Sequence, residues 1–192
     1  MAHRLLTPSD YRRMPWKNSG GETVEIAVWP PESDLDSFEW RLSLASVNED
    51  GPFSIFPGID RHLSVVEGAG IGLAFGNGDA VTLTRATPSF FFPGDMPVSG
   101  RLLDGPIVDL NLMVRRARRA ATVSRLENGI ERPFDLVPCT LVVHAQTPAR
   151  IVLAGTAIAV DAGCTLIATI AEGTTATATA QRAHLMTITA TA

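Results

Sequence analysis

"HLSVVEGAGIGLAFGNGDAVTLTR", His62 to Arg85, decides the fold class. Apolar and polar residues alternate in runs of a few residues, and Gly, Asn or Asp ends each run before a helix could complete two turns. That is the pattern of three short strands joined by tight turns. "GNGDA" (76–80) predicts a hairpin, because glycine takes positive φ without steric cost.

The same rhythm runs outward in both directions. "TVEIAV" (23–28), "FEWRLSLASV" (38–47), "SFFFPG" (89–94) and "PIVDLNLMV" (106–114) read as further strands, separated by "NEDGP", "FPGID", "PGDMP" and "LDGP". Helix is scarce: "TPSDYRRM" (7–14) supports a single turn, with Thr7 or Ser9 as a cap. After Arg119 the runs become shorter and rich in Ala and Thr, from "CTLVVHAQ" (139–146) to "TTATATAQ" (174–181) and "HLMTITATA" (184–192). Their alternation still fits strands. The expectation is an all-β chain of two units: a larger one over 1–118 with a ligand cavity, and a smaller Ala/Thr-rich one over 119–192. Strand exchange between them is allowed for, and "ARRAATVSRLENGIERPFDLVP" (117–138) is the join.

Composition narrows the function classes. With 45% hydrophobic and 19% charged residues the chain has the makings of a globular core. A formal charge of −4 leaves no basic footprint, so no nucleic-acid partner is expected. The arginines at 115, 116, 118, 119 and 125 read first as a solvated face or an interface. The amino terminus has no apolar h-region, and no apolar run reaches the length of a membrane span. Cys139 and Cys164 are read as reduced core residues, and a cytoplasmic location is expected.

Side chains alternate across a strand, so residues two apart share a face. Arg41, Ser43 and Ala45 fall together, opposite Trp40, Leu42 and Leu44. Thr23, Glu25 and Ala27 share a face, and so do Asp109, Asn111 and Met113. These mixed faces either meet water on an antiparallel sheet or point into a barrel, where Arg41, Glu25 and Asn111 would converge and Ser43 and Ala45 would leave room. Strand arithmetic alone leaves both open. The connector "DGPFSIFPGIDR" (50–61) is unusually apolar, so Phe53, Ile55 and Phe56 must pack somewhere, while Asp60 and Arg61 suit a structural ion pair.

Motifs of other chemistries are missing from the sequence. His3, His62, His144 and His184 are scattered without metal-ligand spacing. No nucleophile elbow, Walker loop or dinucleotide fingerprint occurs, and neither cysteine has the setting of an activated thiolate. No metal and no cofactor are expected.

"MPWKNSGGETVEIA", "WRLSLASVNEDGPFSIFPGIDRHL", "FPGDMPVSGRLLDGP" and "VDLNLMVRR", in that order over most of residues 14–116, resemble the HutD/Ves family. That family usually carries Gly where this chain has Ser19. The resemblance implies two cupin-type (RmlC-like jelly roll) β-barrels in one chain, without the usual cupin metal histidines. It also implies a link to bacterial histidine utilisation or stress response. The ligand so implied is a small carboxylate such as urocanate or a formylated glutamate. It turns Glu25, Arg41, Ser43, Phe53, Asn111 and Met113 into candidate cavity residues, with Lys17 and Asn18 at the rim and Trp16 anchoring the first loop. A non-catalytic binding or sensing role is favoured. The alternatives are a metal-free hydrolase or isomerase with Glu25 as base, and an interaction module forming a homodimer.

Overall fold

A computed structural model describes residues 2–16, 21–135 and 137–191. Among these residues the only helical element is the 3-10 turn Pro8–Asp10, and the remaining regular structure is strand. The strands are β1 (His3–Leu6), β2 (Arg12–Pro15), β3 (Gly21–Trp29), β4 (Trp40–Val47), β5 (Gly51–Pro52), β6 (Ile59–Glu67), β7 (Ile71–Phe75), β8 (Ala80–Leu83), β9 (Phe90–Pro93), β10 (Val98–Leu102) and β11 (Ile107–Arg115). They continue as β12 (Arg119–Glu127), β13 (Arg132–Asp135), β14 (Cys139–Ala145), β15 (Ala149–Leu153), β16 (Thr156–Val160), β17 (Thr165–Ile170), β18 (Thr175–Ala180) and β19 (Arg182–Ala190).

Tyr11–Arg119 forms one compact unit. Its six-stranded antiparallel sheet runs β2-β3-β4-β11-β6-β9, and a four-stranded sheet runs β5-β10-β7-β8. Inward residues of both sheets make one core, with Val47, Leu63, Val65 and Phe92 from the first and Ile71, Leu73, Leu83 and Val98 from the second. Each of these belongs to the period-2 set of its strand, which is why alternation predicts them. The hairpin at 76–79 closes with Gly78 at φ +92° and its N–H donating to Phe75 C=O. Gly68, which ends "HLSVVEG", has φ +85°, and a Cβ there would lie 2.5 Å from the Pro106 carbonyl oxygen.

The other compact unit joins Met1–Asp10 to Ala120–Ala192. Its sheets are β1-β17-β14-β19-β12 and β13-β18-β15-β16. The Ala/Thr tract forms β18, with Ala176, Ala178 and Ala180 buried in the core alongside Leu141, Val143, Leu166 and Leu185. Small side chains on one strand and long ones on others fill the interior together.

The expected boundary therefore shifts. The first ten residues are not part of the larger unit: β1 pairs with β17, His3 opposite Ala168, and covers what would otherwise be a free sheet edge. The expected join at 117–138 is itself largely strand, because it contains β12 and β13. Its weak apolar signal hides it, since β12 alternates intermediate and exposed residues.

In the smaller unit His144 and His184 stand opposite one another on β14 and β19, and both are buried. His144 Nδ1 lies 3.0 Å from Thr165 Oγ1. Burial holds the His144 imidazole down to about 4. Burial, then the neighbouring His144 and Arg125, hold His184 down to about 3. Both folded values lie below the ordinary histidine value, so as pH falls below about 6.5 the unfolded chain binds protons first. These two residues therefore remove stability from about pH 6.5 downward, until they too are protonated.

Two outcomes follow from this packing. Gly68→Ala should cost about 1–3 kcal/mol in urea unfolding, since it combines a left-handed backbone with a clash against main chain. The ring resonances of His144 and His184 should stay those of neutral imidazole at pH 5.5 by NMR. A midpoint near 6.5 for either would contradict the burial described.

Candidate functional site

The inner face of the six-stranded sheet is not uniformly apolar. Pairing aligns Asn111 with Ser43 and Met113 with Arg41 between β11 and β4, and Met113 with Arg61 between β11 and β6. Asp109 stands opposite Ala45 and Val65. On β3, Glu25 pairs with Ser43, but a bulge between Glu25 and Ala27 sets Ala27 opposite Leu42 and Val28 opposite Arg41. The expected shared face of Thr23, Glu25 and Ala27 is thus broken, because one extra residue reverses the alternation beyond it.

These strands wall a cavity of about 400 Å³, within the usual range for small-molecule sites. Arg41, Ser43, Ala45, Arg61, Asp109, Asn111 and Met113 line it from the sheet, and Phe53 and Phe56 from the loop. Trp16 and Thr23 complete one side, fastened by the indole N–H donating to Thr23 Oγ1 at 2.8 Å. Gly21 is required beneath that ring, since a Cβ there would meet the Ser46 carbonyl oxygen at 2.0 Å and the Trp16 ring at 3.1 Å.

Two guanidiniums enter the cavity wall, and they are compensated differently. Arg41 Nε donates to Glu25 Oε2 at 2.6 Å, a largely buried ion pair. Arg61, 4% exposed, lies against three aromatic faces, with Cζ 5.1 Å from the Phe53 and Phe92 centroids and 5.9 Å from Phe56. Its Nε is buried without a hydrogen-bond partner, as are Asp109 Oδ1 and Asn111 Oδ1. Burial draws Arg61 down to about 10, with Asp109 opposing that shift and Arg41 adding to it, so the guanidinium stays charged at neutral pH. Burial pushes Asp109 up to about 7, against the pull of Arg61.

Of the residues singled out from the sequence, Arg41, Ser43, Phe53, Asn111 and Met113 line this cavity. Glu25 reaches it through its bond to Arg41. Lys17 and Asn18 lie outside the described residues. Arg61 and Asp109 were the residues missed as site groups. The expected Asp60–Arg61 pair does not form: neighbours on a strand point to opposite faces, and Asp60 bonds Arg116 at 2.8 Å instead. The usable signal was the two-residue step Asp109, Asn111, Met113, which already placed Asp109 beside Asn111. Ile55, expected to pack, is exposed. Among the described residues no group of three or more His, Cys, Asp or Glu is placed to hold a metal. Among the described residues no helix is long and apolar enough to cross a membrane.

The HutD family model matches residues 8–187. The chain belongs to the HutD family. A 21.2 kDa protein of the hutC 3′ region of Pseudomonas putida, described as uncharacterized, is 37% identical over 152 residues, 79% of this chain and 78% of that relative. Protein Ves of Citrobacter koseri is 42% identical over 118 residues, 59% of this chain and 60% of Ves. HutD from Pseudomonas fluorescens SBW25 matches over 100% of both chains with a TM-score of 0.85 and 31% identity. At the level of fold alone, a cupin 2 conserved barrel domain protein from Leptotrichia buccalis matches 94% of this chain and 96% of that one, with a TM-score of 0.54 and 10% identity. This HutD protein is an all-β chain of cupin type.

The Arg41–Glu25 bond gives a direct test. Glu25→Gln should lower stability by about 3 kcal/mol in urea unfolding, because it leaves a buried guanidinium without its counter-charge. A change below about 0.5 kcal/mol would show that solvent reaches Arg41 far more than its burial indicates.

Proposed function

We propose that this HutD protein binds a small carboxylate in the cavity of its larger unit, and acts as a sensor or buffer of that acid, not as a catalyst. One observation carries the reading: the buried Arg61 Nε has no hydrogen-bond partner, within a cavity that also holds the unpartnered Asn111 Oδ1. Leaving a buried guanidinium N–H unmet is costly, and a carboxylate satisfies it through a charge-assisted bond. Arg41 is less free, since its Nε is held by Glu25. Phe53, Phe56 and Met113 would cover the apolar part of the acid, and Asn111 Oδ1 would accept an N–H from it.

Urocanate and formylglutamate fit this demand, since each joins a carboxylate to an N–H and an apolar stretch. The family's link to histidine utilisation and the hutC-region relative favour such acids. A second reading has its own support. A buried carboxyl with a raised pKa in a cavity is the kind of group that serves as general acid or base. In a metal-free hydrolase or isomerase that role would fall to Asp109 and not to Glu25, whose Oε2 is committed to Arg41.

Thermal-shift titration with urocanate, formylglutamate, glutamate and formate should show a rise in Tm for at least one acid. Arg61→Ala should abolish the rise, while Arg41→Ala weakens it. An unchanged response in Arg61→Ala would overturn the site. The same mixtures followed for loss of the acid separate the two readings: turnover that vanishes in Asp109→Asn while binding persists would make the protein an enzyme.

A further inference from the structure

Asp109 lies on the strand β11 between β4 and β6, only 1% exposed, and its Oδ1 has no hydrogen-bond partner. The charged groups around its cavity can be named element by element. Arg61 comes from β6, and Arg41 from β4 is joined to Glu25 of β3. Glu49 and Asp50 come from the segment between β4 and β5, with Asp50 Oδ1 already accepting the Leu102 N–H at 2.8 Å. From β5 and the following loop, Gly51, Pro52, Phe53, Ser54 and Phe56 bring no charge. Arg41 is matched by Glu25, so Arg61 is the cation that offsets Asp109.

A ligand carboxylate on Arg61 would put a second anion against that one guanidinium inside the sheet. Two carboxylates sharing one cation in a low-dielectric site do not both stay ionised. We propose that Asp109 is a specificity-determining residue that makes anion binding proton-coupled: the carboxylate enters the Arg61 cavity with one proton from solvent, which comes to rest on Asp109. This rests on the reading of the cavity as a carboxylate site. The proton forms an O–H on the buried carboxyl, so Asp109 changes from acceptor to donor and can hydrogen-bond the bound anion. Burial already pushes this carboxyl up to about 7, so the proton is taken up near neutrality. The physiological consequence is a site whose occupancy reports acid concentration and pH together.

Calorimetric titration with sodium formate tests it, since formate stays ionised and has no N–H to supply the proton itself. At pH 8, heats measured in phosphate and in Tris should differ by the uptake of nearly one proton per formate bound. Wild-type affinity should weaken about tenfold between pH 6 and pH 8, as the protonated fraction falls. Asp109→Asn should bind about tenfold more tightly than wild type at pH 8, with no proton uptake. Saturable binding with equal heats in both buffers overturns the proton coupling and leaves the carboxylate site standing. If Asp109→Asn does not fold, the two-buffer measurement on the wild type still decides. No saturable formate heat at either pH removes the carboxylate site, and the coupling with it.

Discussion

A guanidinium inside a β-sheet must be compensated, and the larger unit meets that constraint twice. Arg41 is held by Glu25 across two strands at 2.6 Å, at a position where a bulge in β3 resets the alternation. Arg61 is held by aromatic faces and by the charge of Asp109, and its Nε remains open. One cation is closed and the other is available. Ser43 and Ala45, on the same face of β4 as Arg41, are small and leave room for the cavity.

Charge elsewhere in this unit is used for fastening. The arginines at the end of β11 and just beyond it bind within their own unit. Arg115 Nε donates to Phe38 C=O, Arg116 spans Asp60 and Asp95, and Arg118 and Arg119 share Glu39. These side chains hold segments of the larger unit together. The core of the smaller unit is built mainly from Ala, Val, Leu and Ile. Its buried polar groups include the His144–His184 pair, whose burial makes the unit sensitive to acid.

The strand pattern was legible because it is local. Period-2 alternation and glycine turns placed β7, β8 and β11 within a residue or two but started β6 three residues late, and the match to HutD relatives agrees with the four segments read from the chain. β1, β2, β10, β12 and β13 escaped, since short or half-exposed strands carry little apolar signal and owe their form to their neighbours.

In stretches of strand without a bulge between the residues, the sequence by itself grouped Arg41 with Ser43, and Asp109 with Asn111, on one face. Only the tertiary structure decided that this face looks inward, that Glu25 meets Arg41, and that Arg61 stands near Asp109 and not with Asp60. Alternation is set by each residue's own backbone, whereas burial and charge compensation arise between strands distant in sequence, where a single bulge can change every partner beyond it.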